Sequence, residues 1–218
     1  MLLEEARWFG DVIRQMEPAR IFPMCDVGSS SERFRSEEQP WIDDYIFKPA
    51  RERGHVVSHM DRRAEPGVDI VGDLADDDFL EQLTRMKFQS IFCSNLLEHV
   101  VGRDAIASAL AASVSAGGYL FVSCPLRFPY HPDPIDTMFR PGPEELAALF
   151  PGTRIYRHAI IAGGTYLRVA TRGPRSFVRK ATRFGASASA PERLWAATRQ
   201  FPWLFRTFQE TCLVLEKA

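Results

Sequence analysis

The sequence predicts an α/β protein built on a doubly wound sheet of about seven strands, mostly parallel. Three observations predict it. Short apolar runs alternate with helical or long connecting segments from residue 20 to residue 125. Several of those runs are continuously apolar, as strands covered on both faces must be. A glycine turn follows the first of them directly, in "CDVGSSSERF". Such alternation favours a parallel sheet with helices on both faces.

The elements follow in order. Residues 2–16 predict a helix, with Leu3, Trp8, Val12 and Ile13 near helical spacing. "RIFPMCDVG" is a first strand ending in a glycine turn, and "WIDDYIFKPARERG" a helix or an ordered connection. "HVVSHMD" and "VDIVGDL" are the second and third strands, ending at Asp61 and Asp73. "DDDFLEQLTRM" places acids in the first turn of a helix, where they complement its dipole. "FQSIFCSN" is a fourth strand. "RDAIASALAASVSAGG" is a helix stopped by its glycine pair, and "YLFVSCP" is a fifth strand. "PEELAALF" is a short helix, "TYLRVAT" a strand and "TCLVLEKA" the last strand.

The 218 residues, 45% hydrophobic, suffice for one core, and a single domain over 1–218 is expected. A net charge of -1 excludes a chain that is globally built for nucleic acid. Cys25, Cys93, Cys124 and Cys212 lie in or beside apolar runs, without metal or redox spacing, so they read as reduced core residues and no metal is expected. The N-terminus lacks a signal-peptide core, and no apolar run approaches the roughly 20 residues that span a membrane. A cytoplasmic protein is expected. Residues 171–208 differ: eight Lys/Arg against Glu192 give a net +7, leaving -8 for the remainder, with seven Phe or Trp interleaved. This segment predicts a basic, aromatic helical insertion before the last strand. It suits a homodimer contact or an anionic membrane surface, and nucleic acid is disfavoured.

Open α/β sheets bind ligands at the carboxyl ends of their strands. After the first strand stand Asp26, Gly28, Ser29 and Ser30: a turn that lets a ligand approach the backbone, then hydroxyls and amide N–H groups. Asp61 can accept a ribose diol, and Asp73 an exocyclic adenine amine. "SNLLEHV" follows the fourth strand with Asn95, Glu98 and His99.

In these pieces the chain resembles the class I S-adenosylmethionine-dependent methyltransferases, over about residues 20–170 and the final strand. "CDVGSSS" stands at the family's D-x-G-x-G-x-G loop, "HVVSHMD" at its ribose-binding strand end, and "IVGDLAD" at its adenine-binding one. "IFCSNLLEHV" and "SAGGYLFVSCP" resemble its fourth and fifth strands. The resemblance implies a Rossmann-like sheet with an antiparallel C-terminal strand and S-adenosylmethionine as cofactor. Asp26 and Gly28 would hold the methionine end, Asp61 the ribose, and Asp73 with Leu74 the adenine. Asn95 would lie beneath the methyl group. Ser30 and Glu32 stand where the family's D-x-G-x-G-x-G loop has its second and third glycines; a nicotinamide-binding fold needs a glycine-rich turn for its pyrophosphate, and Glu32 repels phosphate, so an oxidoreductase is disfavoured. Asp61 lies 33 positions after Gly28, and the long connection between them is either a helical connection or an extra pocket wall.

After the fifth strand, "PLRFPYHPDPIDTMFRPGPEEL" gathers candidates for the chemistry. His131 can be a general base, with Asp133 or Asp136 orienting it, and His99 is the other candidate base. Tyr130, Asp136 and Arg140 are candidate substrate contacts, Arg140 for an anionic group. A rigid, salt-bridged loop is the alternative, and the H-P-D-P-x-D spacing also permits a metal. The expectation is methyl transfer to a small or mid-sized acceptor: a sugar, a glycolipid or a natural product. The alternative is a methyltransferase-like binding or scaffold protein with weak or no cofactor affinity, which the serines of the first loop favour.

Overall fold

Apolar residues crowd the central strands because both faces of the sheet are covered. The computed structural model describes residues 1–131, 134–165 and 206–218. Helix α1 (Leu3–Gln15) leads into β1 (Met24–Val27). Two π-helical turns, Phe34–Glu38 and Asp43–Phe47, and the short α2 (Lys48–Arg51) connect to β2 (Val57–Asp61). Then come β3 (Ile70–Val71), α3 (Asp77–Arg85), β4 (Phe88–Ser94), α4 (Arg103–Ser113), β5 (Val114–Arg127), α5 (Pro143–Ala148), β6 (Thr153–Thr165) and β7 (Thr207–Lys217). The seven strands form one sheet in the order β3-β2-β1-β4-β5-β7-β6. The neighbours from β3 to β5 are parallel, and β7 runs antiparallel to β5 and β6. The doubly wound, mostly parallel sheet and its antiparallel C-terminal strand are therefore as expected.

Side chains alternate across a strand, so a strand between two layers must be apolar at every position. In β5, Leu120, Val122 and Cys124 face a core formed with Leu83, Ile106, Leu110 and Leu146 of the helices. Tyr119 and Phe121 face the opposite core, with Phe9 and Val12 of α1 and Ile46 and Phe47 of the second π-turn. All four cysteines are buried and free. Burial raises each thiol pKa well above the usual range, so these groups are inert fillers. Among the described residues no helix is long and apolar enough to cross a membrane.

Two boundaries differ from expectation, the end of α4 and the start of β5, and one strand was not expected. The glycine pair does not stop α4, which ends at Ser113; residues 114–118 already belong to β5. Phe88 pairs with Val114 but Ser90 with Tyr119, so β5 bulges there. Gly117, at φ +73, and Gly118, whose missing Cβ would lie 2.2 Å from the Gln89 carbonyl oxygen, permit that bulge. The strand Thr153–Thr165 was not expected; as an edge strand it carries polar residues such as Arg154, Arg157 and His158, which mask its pattern, and beyond Thr165 the strand expected at 165–171 lies outside the described residues. Of the predicted insertion, 171–205 lies outside the described residues, as does Asp133.

Gly118→Ala tests the bulge. Its Cβ meets backbone, which cannot rotate aside, so a loss of about 2 kcal/mol or more is expected in urea denaturation. Gly142→Ala, where a Cβ meets nothing within 4 Å, should shift stability by less than about 1 kcal/mol.

Candidate functional site

The strand ends gather three groups of polar side chains. The first surrounds the turn after β1. Gly28 takes φ +75, and the N–H groups of Gly28 and Ser29 donate to the Met60 carbonyl at 2.9 and 3.0 Å. Ser30, at φ +55, donates its N–H to Asp61 Oδ2 at 2.8 Å, and Arg63 N–H donates to Asp61 Oδ1 at 3.0 Å. Arg35 is buried beneath this turn. Its guanidinium donates to the carbonyls of Ser29, Ser30 and Gly67 at 3.0, 2.6 and 2.7 Å. A Cβ on Gly67 would lie 2.5 Å from Glu32 Cβ, so the segment after β2 rests directly on the first loop. Asp26 is also buried, and its Oδ2 meets His59 Nδ1 at 2.9 Å across the β1–β2 pair. Asp73 is half-buried and accepts the Ala75 N–H at 2.9 Å; Leu74 packs against the core.

The second group lies where α1 crosses the ends of β4 and β5. Glu5 is fully buried. Its Oε1 accepts from Ser94 Oγ at 3.0 Å, Asn95 Nδ2 at 3.1 Å and Ser123 Oγ at 2.6 Å; its Oε2 accepts the Leu2 N–H at 2.9 Å. Asn95 is held at φ +51, with its own N–H on the Ser123 carbonyl. On β7, Glu210 is buried with Oε2 unpartnered among the described residues. Burial, then the neighbouring Glu5 carboxylate, raise its pKa well above the usual range.

The third group is the segment after β5. Asp136 has no exposed side-chain surface and is bound by Arg140, with Nη2–Oδ2 at 2.7 Å and Nη1–Oδ1 at 3.1 Å. The His131 and Met138 N–H groups complete its shell at 2.9 and 2.8 Å. Burial alone would raise its pKa, but these hydrogen bonds outweigh it and hold Asp136 at about 2. Arg140 and Asp136 are thus spent on each other and on shaping the loop. Tyr130 is exposed. His131 places Nδ1 3.0 Å from the Pro129 carbonyl and 3.2 Å from Asp136 Oδ2. Burial lowers its pKa, so it is neutral near pH 7. Its ring stands edge-on to His99 with centroids 5.0 Å apart. Beside them, Glu98 is fully buried, both its carboxylate oxygens lack a hydrogen-bond partner among the described residues, and burial pushes its pKa up to about 7.

The structure therefore brings Ser30 and Asp61 together, Asn95 to Glu5, and His131 to His99 and Asp136. It keeps Asp26 with His59, apart from those contacts. Glu5, Arg35, His59 and Glu210 are missed by the sequence reasoning. A signal existed for Glu5 alone: it precedes the buried Phe9 by four residues and Val12 by seven, so it shares their helix face.

No protein-family model matches the sequence, and no curated protein is significantly similar to it. Solved structures match in fold. Coclaurine N-methyltransferase bound to N-methylheliamine and SAH aligns with a TM-score of 0.59 and 14% identity, over 97% of this chain and 69% of that one. The O-methyltransferase of a trans-AT PKS multienzyme from Brevibacillus brevis, in complex with S-adenosyl-L-homocysteine, gives 0.57 and 12%, over 97% and 72%. A SAM-dependent methyltransferase from Geobacter sulfurreducens, in complex with the same molecule, gives 0.54 and 14%, over 99% and 91%. The fold is that of the SAM-dependent methyltransferases.

Two measurements test the buried acids. Glu5→Ala strips Ser94, Asn95 and Ser123 of their acceptor, and a loss of about 3 kcal/mol in urea denaturation is expected. Glu210 has a folded pKa above its unfolded value of about 4.3, so the wild type loses stability as pH rises from there until Glu210 ionises. Glu210→Gln has no proton to lose. Its stability relative to wild type should climb between pH 5 and pH 8 (roughly the range above that unfolded value); parallel stability curves would contradict the buried charge.

Proposed function

We propose that this chain transfers a methyl group from S-adenosylmethionine to a small or mid-sized acceptor such as a sugar, glycolipid or natural product. One observation carries the reading: Asp61 and Asp73 stand at the carboxyl ends of β2 and β3, on a sheet with the methyltransferase fold, and keep acceptor capacity. An ionised carboxylate has about four acceptor positions. Asp61 uses two of them on N–H groups and Asp73 one on the Ala75 N–H, so both fit hydroxyls or an amine. The acid-rich edge suits a cationic cofactor without phosphate better than a dinucleotide.

When bound, the cofactor supplies a sulfonium methyl group for in-line displacement. Asp61 would accept the ribose hydroxyls, Asp73 and Leu74 would bracket the adenine, and Asp26 and Gly28 would lie toward the methionine end, beside a turn whose Gly28, Ser29 and Ser30 N–H groups already have acceptors within the chain. Asn95, fixed by Glu5, supports the reacting end. Tyr130 contacts the acceptor. A carbonyl only accepts, so Nδ1 of His131, on Pro129 O, carries the proton and Nε2 is left to take one from an acceptor hydroxyl. Asp136 holds that ring in orientation. His99 is the second candidate base.

The second reading is a methyltransferase-like binding or scaffold protein with weak or no cofactor affinity. The first loop favours it: Ser30 spends its N–H on Asp61, His59 occupies Asp26, and Arg35 clamps the turn from beneath. Calorimetric titration with S-adenosylhomocysteine separates the two. Saturable binding at one site per chain is expected, and Asp61→Ala should weaken it tenfold or more, about 1.4 kcal/mol. No binding at millimolar ligand would sink the enzyme reading. Unchanged affinity in Asp61→Ala would remove the ribose assignment.

A further inference from the structure

We infer that Glu98, His99 and His131 form a binding site for one divalent transition-metal ion of the zinc class. The inference does not depend on cofactor binding. The sequence gives little cause to expect it: Glu98 and His99 adjoin in the turn after β4, and His131 comes from the loop after β5.

Three observations converge. One ligand atom from each of the three residues lies within 4.8 Å of the others. His99 Nε2 is 3.6 Å from Glu98 Oε1, close to the roughly 3.4 Å edge of a tetrahedral shell with bonds near 2.1 Å. Both imidazole tautomers are set by backbone. His99 Nδ1 meets the Ile135 carbonyl at 2.5 Å and His131 Nδ1 the Pro129 carbonyl at 3.0 Å. Carbonyls only accept, so both Nδ1 atoms carry protons and both Nε2 atoms present lone pairs. A metal-binding histidine is ordinarily held in this way, its other ring nitrogen donating to a carbonyl or carboxylate. Finally, Glu98 is fully buried with neither carboxylate oxygen hydrogen-bonded among the described residues. A buried carboxylate without a hydrogen-bond donor is costly, and a cation between it and two imidazoles removes that cost.

The donor set is two nitrogens and one carboxylate. It suits zinc and its neighbours rather than magnesium or calcium, which prefer all-oxygen shells. Three protein ligands leave a coordination position open, as in catalytic rather than structural zinc sites. Bidentate pairing of Arg140 with Asp136, together with the Asp136–His131 contacts, holds the third ligand in place before any ion arrives. An ion here occupies the lone pair that His131 uses as a base, so His131 serves as the base only in the metal-free protein.

The test uses the untagged full chain, stripped with chelator and dialysed against Zn²⁺. One ion per chain, saturating at micromolar concentration, is expected. His99→Gln, His131→Gln and Glu98→Gln should each weaken binding at least tenfold. Cobalt(II) provides a readout on the wild type alone, independent of whether the variants fold. Its paramagnetism should displace the ring-proton NMR signals of His99 and His131. No saturable zinc binding overturns the inference, as do wild-type affinity in the folded variants or cobalt shifts confined to His55, His59 or His158. Titrating S-adenosylhomocysteine separately keeps a failure of the methyl-transfer reading distinct from a failure of this one.

Discussion

A carboxylate with no exposed surface at Glu5 organises the working edge of this fold. Ionised acids are costly to bury unless their oxygens are satisfied, and Glu5 is satisfied by donors from its own helix start and from the ends of two strands. The N-terminal helix is therefore tied by charge-assisted hydrogen bonds to β4 and β5, as well as by the apolar packing of Phe9 and Val12. Gly10 adds close approach: a Cβ there would lie 2.4 Å from the Tyr45 carbonyl oxygen, so α1 and the second π-turn touch backbone to backbone. Asn95, held at positive φ, is a consequence of the same knot.

The neighbouring first loop solves a different problem. A three-glycine turn leaves its N–H groups facing a ligand, whereas here Ser30 and Glu32 replace two glycines and the chain satisfies itself. Arg35 collects three carbonyls, Ser30 spends its N–H on Asp61, and the segment around Gly67 lies against Glu32. Rigidity is gained at the turn, and the capacity for a ligand shifts to the free lone pairs of Asp61 and Asp73. In the proposed reading, the acids at the strand ends would carry more of the recognition than backbone amides do.

Legibility followed the range of the forces involved. The central strands could be read because coverage on both faces forces continuous apolar runs, and the strand-end acids because topology alone brings them to one edge. The edge strand β6 could not, since solvent tolerates Arg154, Arg157 and His158 within it. "SAGG" carries the same local signal for a helix stop and for a bulge; only the approach of Gln89 decides. Arg35 and His59 gave no signal, because their partners are fixed by tertiary contacts. Of two readings for the loop after β5, the salt bridge between Asp136 and Arg140 was visible as an i, i+4 pair, but the convergence of His131 on Glu98 and His99 was not.

The strand order carries a consequence for biosynthesis. β7 lies between β5 and β6, yet residues 166–206 separate it from β6 in the chain. As the polypeptide emerges, β6 has no hydrogen-bonding neighbour to join until β7 has been made. One flank of the sheet must therefore wait, exposing the edge of β5 and its apolar faces in the meantime. A stop codon shortly before β7 would cost the protein two strands rather than one, although Glu5 would keep its donors on β4 and β5.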